Sequence, residues 1–322
     1  MKLIVSGYLK YGETMGLYNV SPNMKHRKLD HTNISSPTFI IYGDGYYFTY
    51  EKGHQTTIYS YNIVGDKLEV IDKKEVPIGN LTHISYSTKH KILFGVSYSE
   101  GTLIAVRVEN GQFKEVINFQ KQINDERLSR PHQIILNENE DEIAVVNISL
   151  DAIYFYEYKN ERLRYKDVMA LPEGSGPRHG LYYDGYIYVV TEYSNEVFVI
   201  NRKEKKIIQS LSTVPNFKGV SNGATLILSL DKKFLYVSNR GEDSIAKFEV
   251  LDNFELKYIN SFSCGGKHPR HMILSKDGKY IISCNKDSNS VTYINLVSEE
   301  VVLNFKFGEP SGVVEVDDEE EI

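Results

Sequence analysis

The chain of 322 residues has no tryptophan, two cysteines and no excess of basic residues. Cys264 and Cys284 are too few for a disulfide framework and match no metal-binding spacing. A reducing compartment is therefore the simpler expectation. No run of 18 apolar residues occurs, so no membrane span and no membrane partner are expected. The opening MKLIVSGYLK is too short an apolar stretch for a signal-peptide core. Together these absences make the cytoplasm the expected location. A formal net charge of −6 argues against an extended nucleic-acid surface, while leaving room for a local positive pocket. His-Glu-x-x-His, a phosphate-binding glycine loop and Cys-x-x-Cys are all missing, so neither a required metal nor a cofactor is expected. No segment of helical length carries a 3.6-residue apolar period.

What is present is a repeat. Segments such as GPRHGLYYDGYIYVVTE from Gly176, NGATLILSLDKKFLYVSNR from Asn222 and HPRHMILSKDGKYIISCNK from His268 each run as an apolar strand, a polar turn and a second apolar strand. Equivalent segments begin near Ser36, Asn80 and Arg130. The residues heading each first strand, Pro37, Leu81, Pro131, Pro177, Gly223 and Pro269, are spaced by 44, 50, 46, 46 and 46. Two further alternating stretches follow each segment. Four short strands per roughly 45 residues is the size of one β-propeller blade, and the 24 tyrosines suit half-buried pleated surfaces.

Six whole units leave two fragments. PSGVVEV from Pro310 reads as one more first strand, and LIVSGYL, MGLYNV and RKLDHTNI near the N-terminus read as the other three. The expectation is an all-β, seven-bladed propeller over residues 1–322, with four antiparallel strands per blade. Strands from both ends close the last blade and remove the free sheet edges. The acidic tail 317–322 is expected to fray.

Two rings of residues follow from this register. One and two positions past each anchor lie Thr38-Phe39, Thr82-His83, His132-Gln133, Arg178-His179, Ala224-Thr225, Arg270-His271 and Ser311-Gly312. The second strands end at Glu51, Ser97-Tyr98, Asn147, Glu192, Asn239-Arg240 and Asn285-Lys286. In a four-stranded blade both sets open on one face. Polar groups there can serve chemistry, or can hydrogen-bond from blade to blade as structure. The structural role suits the asparagines, which favour turns and caps. The arginines suit it less, because a charge near an interior calls for a partner or ligand. The string Gly219-Val-Ser-Asn-Gly223 fits the nucleophile-elbow pattern, but it precedes a channel strand where that motif needs strand, turn and helix.

At these residues the chain resembles a known family. GPRH at 176–179, YVSNRGEDSIAKFEV at 236–250 and PRHMILSKDGKYIISCNKDSNSV at 269–291 are similar to the lactonase family of seven-bladed propellers. That family includes propeller-type 6-phosphogluconolactonases and carboxy-muconate lactonizing enzymes. The resemblance implies a catalytic set of His132, Arg178, Glu192 and Arg240, and the two rings add His179, Arg270, His271, Asn239 and Glu51 as further substrate-binding candidates. It implies hydrolysis of a small, anionic sugar lactone, most directly 6-phosphoglucono-lactone. In that reading Glu192 activates water, Arg178 and Arg240 hold anionic oxygens, and His132 protonates the leaving oxygen. The third unit departs from the family pattern. Ile134 stands where a second histidine is expected, and Asn147-Ile148-Ser149 replaces Asp-Leu-Gly. Action on another carboxylated small molecule, as hydrolase or cyclase, and a non-catalytic binding propeller are the alternative expectations.

Overall fold

The computed structural model describes residues 1–121 and 127–316. The acidic tail from Asp317 therefore lies outside the described residues. Seven four-stranded antiparallel sheets follow one another around a ring. Blades one to six are contiguous in sequence, with inner strands Ile40–Gly43, His83–Ser87, Pro131–Leu136, Pro177–Tyr183, Asn222–Leu228 and Pro269–Leu274. Blade seven takes its inner strand, Pro310–Glu315, from one end of the described chain and its other three from Lys2–Gly7, Met15–Val20 and His26–Thr32. The expected one-plus-three closure is thus what the chain adopts, with Val313 opposite Val5 and Val314 opposite Ile4.

Local chemistry explains the hairpins. Asp44-Gly45, Asn110-Gly111 and Asp184-Gly185 all sit at positive φ between paired strands. Such turns match the twist of the strands they join. Alternation then decides what is buried. Second strands are buried almost throughout, as in Ile92–Ser97, whereas an outer strand such as Lys67–Val76 is largely exposed.

The core is not one mass. Seven hydrophobic clusters each fill the gap between two neighbouring blades among the described residues. Phe48 and Tyr50 of blade one pack with Ile84 and Phe94's neighbour Leu93 of blade two. Leu3 and Val5 of blade seven pack with Ile282 and Tyr293 of blade six. Ile4 and Leu17 of blade seven pack with Tyr47 and Tyr61 of blade one. The split blade is therefore cemented on both sides.

The anchor positions are built by β-bulges. The inner-strand ladder skips one residue after Pro131, Pro177, Pro269 and Pro310, leaving His132, Arg178, Arg270 and Ser311 as the extra residues. Proline lacks the amide proton that a regular ladder needs. A bulge re-aims the side chain it carries. In blades one and two the ladder starts later, at Ile40 and His83.

If blade seven closes the ring as firmly as the interblade cores indicate, Leu3→Ala should cost about 2–5 kcal/mol, as for a fully buried leucine elsewhere. Urea unfolding should remain a single transition. An early separate transition, or a loss under about 0.5 kcal/mol, would show instead that the closing blade frays on its own.

Candidate active site

The bulge and the end of the second strand bring two guanidiniums onto one carboxylate. Arg178 Nε lies 3.0 Å, and Arg240 Nη2 2.8 Å, from the same oxygen, Oε2 of Glu192. The Arg178 side chain is only 2% exposed, Arg240 7%, and Glu192 22%. Each arginine is also fixed to backbone. Arg178 Nη1 donates to the Ala224 carbonyl, and Arg240 Nη2 donates to the Gly223 carbonyl at 2.7 Å. The second carboxylate oxygen of Glu192 has no protein partner among the described residues.

Two glycines make this arrangement possible. Gly176 adopts φ +61° and its carbonyl accepts the Glu192 amide at 2.7 Å, so it sets where the glutamate leaves the strand. A Cβ on Gly223 would lie 2.3 Å from the Thr191 carbonyl oxygen, so blade five approaches blade four this closely only with glycine there.

The triad opens into a cleft of about 240 Å³ whose walls include Tyr8, Lys52, Tyr98, His132, Glu192 and Arg240. A narrow throat of about 30 Å³ shares Tyr8, Lys52, His132 and Arg270 with it and carries Arg178, His179 and His271. The throat has room for a water or two; the cleft is large enough for a small molecule.

The electrostatics follow from this crowding. Burial alone would raise the Glu192 pKa, but Arg178, Arg240 and then Arg270 outweigh it and hold the carboxyl below its usual 4.5. Burial, then Arg240 and Arg270, lower the Arg178 pKa, while Glu192 supports its charge. His132 is pushed well below 6.5 by burial and then by Arg178, Arg270 and Arg240. It is a neutral imidazole at pH 7, able to donate a hydrogen bond but not to act as an imidazolium acid. His179 is lowered in the same way, first by burial and then by Arg178. His83 and His271 fall to about 3 for the same reasons.

The sequence-derived candidates thus divide. His132, Glu192, Arg240 and Arg270 line one cleft, with Arg178, His179 and His271 in the throat next to it. His179 Nδ1 pairs with Thr225 Oγ1 at 3.1 Å and its ring lies 5.2 Å from that of His132. Glu51 and Asn239 line neither recess. The Glu51 carboxylate accepts the Ser35 amide and the Tyr59 hydroxyl, and the Asn239 amide donates to the Thr213 carbonyl. Asn147 and Asn285 brace loops likewise, through Ser129 Oγ and the Cys264 carbonyl. Ile134 is fully buried in the core between blades two and three. Ser221 of the Gly219–Gly223 string donates its hydroxyl to the Arg240 carbonyl and leads into a strand, not a helix. Among the described residues, no three His, Cys, Asp or Glu side chains are grouped as metal ligands.

Two cleft residues escaped the sequence reading, Tyr8 and Lys52. The cleft-lining ring is the residue at or just after the end of the second strand. Its amide bonds back to the loop entering the inner strand, as Lys52 does to Ser35, Glu192 to Gly176, Lys286 to His268 and Tyr8 to Glu309. Counted at this offset the ring reads Tyr8, Lys52, Tyr98, Ile148, Glu192, Arg240 and Lys286. Applying the offset of Glu192 to blade one gives Lys52 rather than Glu51.

A seven-bladed propeller with a buried arginine–glutamate–arginine cluster at its channel mouth defines the class. The family model "Lactonase, 7-bladed beta-propeller" matches residues 2–312, and the chain belongs to that family. An uncharacterized protein of Staphylococcus aureus strain N315 is 27% identical over 307 residues, covering 88% of this chain and 90% of its own. A second, from Staphylococcus saprophyticus, is 28% identical over 258 residues, covering 76% and 72%. Among solved structures, the periplasmic gluconolactonase PpgL of Pseudomonas aeruginosa superposes with a TM-score of 0.87 at 21% identity, covering 97% of this chain and 98% of that one. A Bacteroides fragilis protein provisionally named a 6-phosphogluconolactonase gives 0.86 at 16% identity, covering 98% of each chain. At these identities the structural likeness shows the shared fold. No helix among the described residues is long and apolar enough to cross a membrane.

The neutral histidines make the protein acid-sensitive. His83, His132, His179 and His271 have lowered folded-state pKa values, so the unfolded chain binds more protons below about pH 6.5. Stability is then complete above that pH and falls as pH drops, with a slope of up to about one proton for each histidine. The fall continues toward the folded values, about 3 for His83 and His271. Urea unfolding at pH 7.5 and 5.5 should show this loss, and His83→Gln should make the slope shallower by up to one proton. Equal stability at the two pH values would contradict the assignment of neutral channel histidines.

Proposed function

We propose that the chain hydrolyses a small sugar lactone in the cleft beside Glu192, in the manner of a 6-phosphogluconolactonase acting in the cytoplasm. The observation that carries the reading is the single carboxylate held through one oxygen by two buried guanidiniums, with no partner for its other oxygen among the described residues. Family membership supplies the lactonase class. The two free thiols, Cys264 and Cys284, fit a reducing compartment.

In the proposed reaction the free oxygen of Glu192 takes a proton from a water as that water attacks the lactone carbonyl carbon. A new C–O bond forms, and the carbonyl electron pair moves to oxygen as an oxyanion. Arg178 and Arg240, already fixed by the Ala224 and Gly223 carbonyls, meet this charge without reorganising. The tetrahedral intermediate collapses, the ring C–O bond breaks and the leaving alkoxide receives the proton held by Glu192. His132 donates a hydrogen bond to the ring oxygen as neutral imidazole. The low pKa of Glu192 makes it a weak base but a strong acid once protonated, which suits protonation of an alkoxide. The chemistry consumes one water and needs no redox partner.

The direct measurement is hydrolysis of freshly generated 6-phosphoglucono-lactone above its spontaneous rate. Wild type should accelerate it, and Glu192→Gln should lose about 10²–10⁴-fold in kcat. Because Glu192 stays ionised to below pH 4.5, the wild-type rate should not fall between pH 8 and 6 through this group. No acceleration by wild type removes the lactonase reading for this substrate, and equal acceleration by both proteins removes Glu192 as the base.

A further inference from the structure

Arg178 and Arg240 are committed to Glu192, but other cations at the same mouth are not. Arg270, Lys52 and Lys286 surround the Tyr8 ring, with their charged groups 5.0, 5.4 and 5.7 Å from its centroid. Neither Lys52 nor Arg270 has a carboxylate within ion-pair distance among the described residues. Lys286 reaches only Asp287, at 3.2 Å, and that aspartate also contacts His268 at 3.1 Å. All three lysine and arginine side chains are at least partly buried. Burial and then Arg270 lower the Lys52 pKa to about 8.

The space beside them is open. An outer recess of about 800 Å³ shares Tyr8 and Lys52 with the cleft and adds Lys10, His54 and Lys286 against a single carboxylate, Glu309. Tyr8 and Lys52 therefore form the partition between the recess and the Glu192 cleft.

We propose that Tyr8, Lys52, Arg270 and Lys286 form a second subsite that binds a phosphate-monoester dianion carried by the substrate at the end remote from the reacting carbonyl. The charge count selects a dianion. Two cations without an ion-pair partner among the described residues and a third shared with Asp287 face the subsite, and the tyrosine hydroxyl adds a further donor. An aromatic ring between the cations keeps them together before the anion arrives. The identity of the ligand as part of the substrate rests on the lactonase reading above. The affinity of the subsite for phosphate does not.

The test has two arms on the full chain. In the first, inorganic phosphate at constant ionic strength should raise the Tm of wild type, and acetate should not exceed chloride. Lys52→Met/Lys286→Met should weaken the phosphate response by at least about tenfold in Kd, whereas Lys52→Arg, which keeps the charge, should retain it. In the second, the double variant should raise KM for 6-phosphoglucono-lactone about tenfold more than KM for the same lactone without phosphate. A wild type that ignores phosphate, or a double variant that binds it as well, overturns the subsite. Phosphate binding lost in the variant with an unchanged KM ratio overturns its assignment to the substrate. If no lactone is hydrolysed at all, the functional reading fails while the phosphate arm still decides the subsite.

Discussion

One oxygen atom, Oε2 of Glu192, holds the channel mouth together. Two guanidiniums from neighbouring blades converge on it, one of them almost entirely removed from solvent. Taking a charge out of water is costly, and a buried arginine whose partner is removed is left uncompensated. Arg178 donates to the Ala224 carbonyl and Arg240 to the Asn222 and Gly223 carbonyls, so the cluster also ties blade four to blade five. Its geometry depends on backbone as much as on side chains. A bulge aims Arg178, Gly176 at positive φ releases Glu192, and Gly223 lets the two blades approach.

The field of that cluster sets the state of everything near it. With Arg270 and Lys52 added, positive charge dominates a region that burial already makes hostile to ions. The histidines lining the channel respond by staying neutral. The carboxylate responds in the opposite sense and stays ionised. This separates the roles that residue type alone would leave mixed. The histidines become packing groups, as in the Phe39–His83 contact at 4.3 Å, and Glu192 is the one carboxylate lining the cleft among the described residues.

The blades were legible because repetition multiplies a weak signal. One alternating segment is ambiguous between strand and buried helix, but six at near-constant spacing are not, and Pro310 completes the seventh. The arginine–glutamate cluster was legible for the same reason, since Arg178, Glu192 and Arg240 sit at fixed offsets from strand ends. What the pattern left open was the phase of the outer ring. Glu51 and Asn239 precede the turn by one residue and brace loops, whereas Lys52 and Arg240 follow them and line the cleft. A slip of one residue exchanges the two faces of a strand. Tyr8 was hidden for a different reason. It belongs to the split blade, whose inner strand lies at the far end of the sequence, so no contiguous segment displayed its register.

The distribution of charge also bears on how a product leaves. The chain carries a net charge of −6, yet its channel mouth is cationic. In the proposed reaction an anionic lactone would be drawn toward the mouth and away from the rest of the surface. Ring opening then adds a carboxylate beside Glu192. That new charge has the same sign as Glu192 and competes for guanidiniums already bound to it, so the arginine pair gains little from the product that it did not have before. Had Arg178 and Arg240 been unpaired, the hydroxy acid would be their best ligand and product release would be slow. In the proposed reaction, committing them to an internal carboxylate would leave them able to stabilise a transient oxyanion while holding the finished carboxylate weakly, the difference between transition state and product that turnover requires.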